Sequence, residues 1–333
     1  MHMTPHKTST QSGFTLIEMM IALTVGLIIL GALTAVLISS ANSAKSNDRV
    51  SELQTNGRYA LSVIQRDVQH AGLSGLMPSA TLSNAKTNGF FNVASGVAVT
   101  NDCAAGFSLK LEEPVFGIDN TDPTPNPYAG TCIPAANYLG GDILVVRYAD
   151  MQALEIATTT APPTFANPND IYLRSSYSAS TLFQKGVAAQ TTLFTGLMQD
   201  QLMKTYVYYI NKYTSVVGDN IPALWRVALT SGAMTPELVA SGIENLQVQY
   251  GVVNVGGNTQ FLDANNITAA TWPLVKSVRV WLLARNSTDQ KSDAYTNTTD
   301  YSPASSPMGN LLTLQPNDKY RRQLYMSTID MRN

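Results

Sequence analysis

GFTLIEMMIALTVGLIILGALTAVLI, residues 13–38, decides how the rest of this 333-residue chain folds. From Phe14 to Ile38 there are 25 residues without a Lys, Arg or Asp and with one acid, Glu18. As a helix rising about 1.5 Å per residue, the run spans the roughly 30 Å of bilayer hydrocarbon. A carboxylate inside a membrane helix costs about 2.5–3.5 kcal/mol on insertion scales, and such charges generally have a partner and a task. The chain thus opens with a membrane helix whose single acid needs a partner.

Upstream, residues 1–13 (MHMTPHKTSTQSG) are polar, with Lys7 as the one firm positive charge and no apolar core. A secretory signal places its apolar region before the cleavage site. Here the polar leader ends at Gly13 and the apolar run follows, so cleavage between Gly13 and Phe14 leaves the helix on the mature chain. Gly26 and Gly31 each cost about 1 kcal/mol relative to Ala in an exposed helix, and their spacing is not Gly-x3-Gly, so neither receives a separate role.

Downstream, Val50, Leu53, Gly57, Leu61, Ile64 and Val68 recur at three- and four-residue steps, with Asp48, Arg49, Glu52, Arg58, Gln65 and Arg66 on other faces. This is the pattern of an amphipathic helix. Ser39–Asn47, rich in Ser and Asn, is a soft joint within it. Gly72 and Ser74-Gly75 supply the stop. The predicted helix therefore runs from Phe14 to about Ala71, on the order of 85 Å.

Only 13% of residues are charged and the net charge is −2, so no basic face recommends nucleic acid as a ligand. The two cysteines, Cys103 and Cys132, both follow the membrane run. Outside the cytoplasm they form a disulfide by default, closing a loop of about 30 residues worth roughly 3.5 kcal/mol; free thiols or half a metal site are the alternatives. Of three histidines, His2 and His6 precede the run, and His70 sits in a helical stretch as a surface residue. With no Gly-x-Ser-x-Gly, phosphate loop or metal-spaced Cys/His set, the expectation is a protein that is not an enzyme and carries no cofactor or metal.

Residues 73–141 are hard to read, and DNTDPTPNPYAGTC (119–132) is a loop by its Pro, Asn, Asp and Gly content. Asp119, Asn120 and Asp122 superficially resemble a calcium loop but lack its glycine and distal glutamate, so turn chemistry is the better account. From Gly140 the chain is strand-rich: DILVVRYA (142–149), TYVYYI (205–210), ALWRVAL (223–229), LQVQYGVV (246–253) and LVKSVRVWLLAR (274–285). In the last, Val278, Val280 and Leu282 share one face and Ser277, Arg279 and Trp281 the other, which fits an antiparallel sheet laid on the helix. The ending YRRQLYMSTIDMRN (320–333) reads as a final strand on which Arg321 and Arg322 point to opposite faces, a structural or solubilising arrangement rather than an anion site.

The N-terminus GFTLIEMMIALTVGLIIL resembles that of type IV prepilins and pseudopilins, in which a membrane aspartyl peptidase cuts after the glycine and methylates the new N-terminus. The resemblance implies that Gly13 is the last leader residue, Phe14 the methylated N-terminus, and Glu18 the assembly acid that pairs with the α-amine of a neighbouring subunit's Phe14. ELQTNGRYALSVIQRDVQHAGLSG is similar to PilW-type minor pilins, through Asn56, Gly57, Arg58, Arg66, Asp67, Ala71 and Gly72, and in part to J-type pseudopilins of type II secretion. The strands GGDILVVRY, LWRV, QVQYG and SVRVWLLAR follow in the PilW-like order.

Gly57 and Ala60 would let a sheet approach the helix closely, while Arg58, Arg66 and Asp67 either pair with it or form a solvated face. The fold implied is α+β: one long helix on antiparallel sheet, extended by a second sheet. The expected organisation is a leader at 1–13, an assembly helix at 14–38, its amphipathic continuation at 39–72 and a β-rich globular domain at 73–333. The expected role is a minor pilin held in the inner membrane with its globular domain in the periplasm. It then joins other minor pilins and the major pilin near a pilus tip to prime growth. Prepilin peptidase is the processing partner and a tip adhesin a further one. The other roles in view are a J-type pseudopilin, and an adhesin or DNA-binding module displayed on the fibre.

Overall fold

A computed structural model describes residues 13–119, 128, 131–157, 167–184, 196–254, 256–287, 295–303 and 314–332, with backbone alone for 79–81 and 153–157. The chain divides into two compact units, Met1–Ser51 and Glu52–Asn333. The first helix, α1 (Leu16–His70), begins in one unit and ends in the other.

In the first unit α1 is apolar on every side as far as Ile38, and its large side chains there, among them Leu16, Ile21, Leu27, Ile28, Leu30 and Leu37, are exposed. A helix that is hydrophobic all round requires an apolar medium or partner helices around it. Among the described residues it is the one helix long and apolar enough to cross a membrane.

In the second unit α1 is amphipathic and buries Leu53, Gly57, Ala60, Val63, Ile64, Asp67 and Val68. The stripe differs from the expected one at its start, because Val50 is exposed and the chain enters the core only at Leu53. Ala60 and Val63 join the stripe, so the buried face is broader than the spacing indicated. The helix ends at His70, one residue before the expected stop, and Gly72 follows at φ +81°, the left-handed conformation glycine tolerates after a helix. The Gly72 N–H then donates to the Arg147 carbonyl and joins the helix end to the sheet.

A second helix, α2 (Ser79–Thr87), and two short strands, β1 (Phe91–Val93) and β2 (Val115–Ile118), occupy the stretch that resisted reading. The strand-rich part comprises β3 (Tyr138–Ala157), β4 (Ile171–Ser175), β5 (Ser180–Gln184), β6 (Met198–Asn211), β7 (Ala223–Thr230), β8 (Ala233–Ser241), β9 (Ile243–Val253), β10 (Thr259–Leu262), β11 (Val275–Arg285) and β12 (Arg322–Asp330). All five strands expected from alternation are present, as β3, β6, β7, β9 and β11, and the C-terminal strand is β12.

These strands form two sheets. An eight-stranded one has the order β1-β5-β4-β6-β3-β2 with β7 and β8 branching from β6; a four-stranded one has the order β10-β9-β11-β12. Every pairing is antiparallel except β1 with β5. The main core joins α1 to both sheets: Ile64 and Val68 of the helix, Val146 and Ile210 of the larger sheet, and Val248, Val280 and Leu282 of the smaller. Val278, Val280 and Leu282 thus face the helix, as their alternation required.

Candidate assembly site

The N-terminal part of the site is built by the first turn of α1. Thr15 precedes the helix and Glu18 is its third residue, the spacing of a capping box. The Glu18 N–H donates to Thr15 Oγ1 at 3.3 Å, while the Thr15 N–H and hydroxyl both donate to the Glu18 carboxylate at 2.9 Å. Residues 1–12 lie outside the described residues, and Gly13 and Phe14 are exposed ahead of the helix. The acid that lacked a partner accepts two hydrogen bonds from Thr15. The Thr-x-x-Glu spacing is the sequence mark of this cap, set at the head of an apolar run that otherwise dominates the stretch.

The second part lies where α1 meets the sheets, within the second unit. The ring of Tyr325 in β12 packs against Gly57: a Cβ at this position would stand 2.2 Å from it. Ala60, one turn on, is fully buried. The Tyr325 hydroxyl donates to the Leu53 carbonyl at 3.4 Å. The expected close approach therefore occurs, and the approaching group is a tyrosine ring.

Asp67, fully buried, is the centre of a polar latch. Its carboxylate accepts from the Tyr148 hydroxyl at 3.1 Å, from the Tyr208 hydroxyl, from Arg226 Nη1 at 3.1 Å and from Arg66 Nε at 3.4 Å. Arg226 also bonds Glu237 and lies 4.1 Å from the Tyr206 ring centroid. Burial, reinforced by the Asp67 charge, pushes the Tyr208 and Tyr148 hydroxyls well up, so both stay neutral donors. Burial alone would weaken the Arg226 charge, but Tyr208 and Glu237 outweigh it and raise its pKa. A buried acid with this many donors is satisfied rather than stranded. Of the three charges proposed for the helix–sheet contact, Asp67 is therefore structural, whereas Arg58 is exposed and Arg66 only borders the latch.

Elsewhere in the second unit, Cys103 and Cys132 are joined in a disulfide with Cα atoms 4.6 Å apart. Beside this loop Arg147 is fully buried, donates from Nη1 to the Glu113 carbonyl at 2.7 Å, and lies 4.4 Å from the Phe107 ring centroid. Burial pushes its guanidinium down to about 10. Asp119 accepts from Asn265 at 3.0 Å, while Asn120 and Asp122 lie outside the described residues. Among the described residues no three His, Cys, Asp or Glu side chains cluster as metal ligands. His70 is half-buried against the Tyr148 ring, 5.6 Å between centroids. Arg322 is tied to Glu244 at 2.6 Å and Asp318 at 2.6 Å, and Arg321 lies 4.5 Å from the Tyr295 ring centroid, so the two arginines form no common patch.

Two family models match this chain. Residues 8–34 match the prokaryotic N-terminal methylation motif, and residues 207–333 match the type IV pilus-assembly protein W family. No curated protein sequence is significantly similar to the chain. Among solved structures, a type IV-like pilin from Thermus thermophilus aligns with 57% of this chain and 78% of its own, at 15% identity and a TM-score of 0.28. That overlap is too slight to carry the assignment, which rests on the two models and on the helix and strands that embody them. The methylation motif over residues 8–34 and the pilus-assembly match over residues 207–333 together support a PilW-type minor pilin.

Proposed function

We propose that this pilin is anchored in the inner membrane by residues 14–38, cut after Gly13 by prepilin peptidase, and methylated on Phe14. It then co-assembles through α1 with other minor pilins and the major pilin near the pilus tip to prime fibre growth. One observation carries the reading: the Gly13–Phe14 junction, an acid four residues on and an exposed apolar helix follow one another in a single stretch of chain. Glu18 pairs in the fibre with the α-amine of a neighbouring Phe14, in a medium of low dielectric where an unpaired charge is costly. Before assembly the Thr15 hydrogen bonds supply that carboxylate with partners in its own chain. The globular domain stands in the periplasm and then at the cell surface, compartments in which the Cys103–Cys132 disulfide persists.

Deletion of the gene tests this reading, with surface pili counted in cells with and without active retraction. Loss of pili that blocking retraction restores is the expected result. A deletion that leaves pilus number intact while stopping protein secretion would favour a J-type pseudopilin; one that stops attachment or DNA uptake instead would favour a displayed binding module. A Glu18→Ala chain is expected to be processed at Gly13 and still be excluded from filaments.

A further inference from the structure

The smaller sheet ends in an open edge. β12 pairs with β11 in an unbroken register of nine residue pairs, from Ser277 with Asp330 to Arg285 with Arg322. Among the described residues no strand pairs with its other side, on which the Arg322 carbonyl accepts a bond from the Tyr301 hydroxyl at 3.4 Å. The Met331 N–H donates to the Lys276 carbonyl and the Asn286 N–H to the Arg321 carbonyl, so the odd-numbered residues turn their backbone groups toward β11. Alternation along a strand then turns those of Leu324, Met326, Thr328 and Asp330 outward.

Natural edges of this length are blunted by proline, lysine, bulges or cover. The other edges fit that rule: β1, β2 and β10 are three or four residues long, and β8 carries Pro236 and Glu237 in its exposed run. β12, RQLYMSTID, has no proline, lysine, glycine or bulge. It also presents Met326 at 56% exposure and Asp330, an exposed acid with no ion pair among the described residues.

We propose that the outer edge of β12 docks an extended strand of a neighbouring pilin subunit, which runs antiparallel to β12, sets an apolar side chain beside Met326 and a lysine or arginine beside Asp330. Main-chain bonds to Leu324, Met326 and Thr328 would hold it, as in strand addition to an exposed edge. The inference rests on the pilin reading above. A second copy of this chain pairing its β12 antiparallel to this one is excluded by direction. β12 runs in the sense of α1, since Tyr325 bonds Leu53 while the Arg332 N–H bonds the Gln69 carbonyl. A two-fold axis across β12 would therefore point the two α1 helices in opposite senses, which subunits anchored in one membrane by the same end do not adopt. The partner strand is accordingly a different one, running against its own α1, as β10 does at the far edge of this sheet.

The test uses the full-length chain in its producing cells, with Thr328 replaced by the photo-crosslinking residue p-benzoylphenylalanine. Irradiation is expected to give one adduct, with a second pilin chain identified by its methylated N-terminal peptide in mass spectrometry. Adding Met326→Pro removes an outward N–H while sparing the bonds to β11, and Met326→Lys adds a charge while keeping the N–H. Each is expected to cut the adduct at least fivefold with the melting temperature of the purified chain unchanged. No adduct, an adduct with a protein that is not a pilin, or an adduct indifferent to both substitutions overturns the proposal. The mass of the N-terminus in the same cells separates the two levels: cleavage after Gly13 without an adduct refutes the docking edge and leaves the pilin reading standing, and an uncleaved leader refutes both.

Discussion

Asp67→Asn is the most informative change to the fold, because it keeps the side chain's size and removes only its charge. The carboxylate is fully buried and serves donors from Tyr148, Tyr208, Arg226 and Arg66. Hydrogen bonds to a charged group contribute about 1.5–3 kcal/mol, and stranding one partner of a buried pair costs about 3–5. Arg226 is not fully stranded, because its side chain is 18% exposed and Glu237 remains as a second acceptor, which argues for the lower bracket. The new amide, however, turns donor hydrogens toward a tyrosine hydroxyl that was itself donating. About 2–3 kcal/mol is the expected loss, and for a unit of this size each kcal/mol shifts Tm by about 2–4 °C, giving a drop of roughly 5–10 °C. Near-UV circular dichroism of the full-length chain in detergent, which reports the buried tyrosines, measures it. Tyr208→Phe in the Asp67→Asn background should cost much less than in the native chain, since the two share one interaction. A Tm within about 2 °C of the native value, or full additivity of the two changes, would show that the latch does not hold the helix to the sheet.

Three further outcomes are expected. Thr15→Val removes the cap on α1 and is worth about 1 kcal/mol, so amide exchange at Ile17 and Glu18 in micelles should quicken about fivefold without affecting residues beyond the second turn. Replacing both Cys103 and Cys132 by serine opens a link between residues 29 apart in sequence, and chemical denaturation should register a loss of roughly 3.5 kcal/mol in the chain-entropy account. For Asp318, burial alone would raise the pKa, but the hydrogen bonds from Arg322 outweigh it and hold the carboxyl below its ordinary value. A depressed folded pKa stabilises above the unfolded value of about 4 and is lost as pH falls through the folded one, so the native chain should weaken below about pH 4 and Asp318→Asn should flatten that limb in acid melts.

Long, strongly patterned elements were legible in the sequence. α1 carries both of its environments in its spacing, and β11 shows its buried face as Val278, Val280 and Leu282. β4 is not legible because it buries a charge: Arg174 forms a bidentate pair with Asp200 of β6 at 2.8 and 2.7 Å, so the segment IYLRS looks half-solvated when it is fully enclosed. β8 reads as a loop because Pro236 and Glu237 protect an edge that only the assembled sheet creates. α2, SATLSNAKT, has too few apolar residues to declare a face. At the site, Glu18 was evident by its isolation, whereas the role of Asp67 was not. Its partners Tyr148, Tyr208 and Arg226 lie 81, 141 and 159 residues away, and a charge beside Arg66 on a helix has the look of a solvated one.

The contact between Tyr325 and Gly57 also has a meaning in time. It links positions more than 250 residues apart, and the strand that makes it leaves the ribosome long after the helix. Until β12 is in place, the Gly57 face of α1 has no ring to cover it and the smaller sheet has no final strand. Contacts this distant form late, because the whole intervening loop must be closed first. Folding of the second unit therefore waits for β12 to clasp a helix made much earlier, and a chain cut short before Tyr325 would leave the Gly57 face of α1 without its ring. The smaller sheet and its edge become whole only in subunits translated through β12.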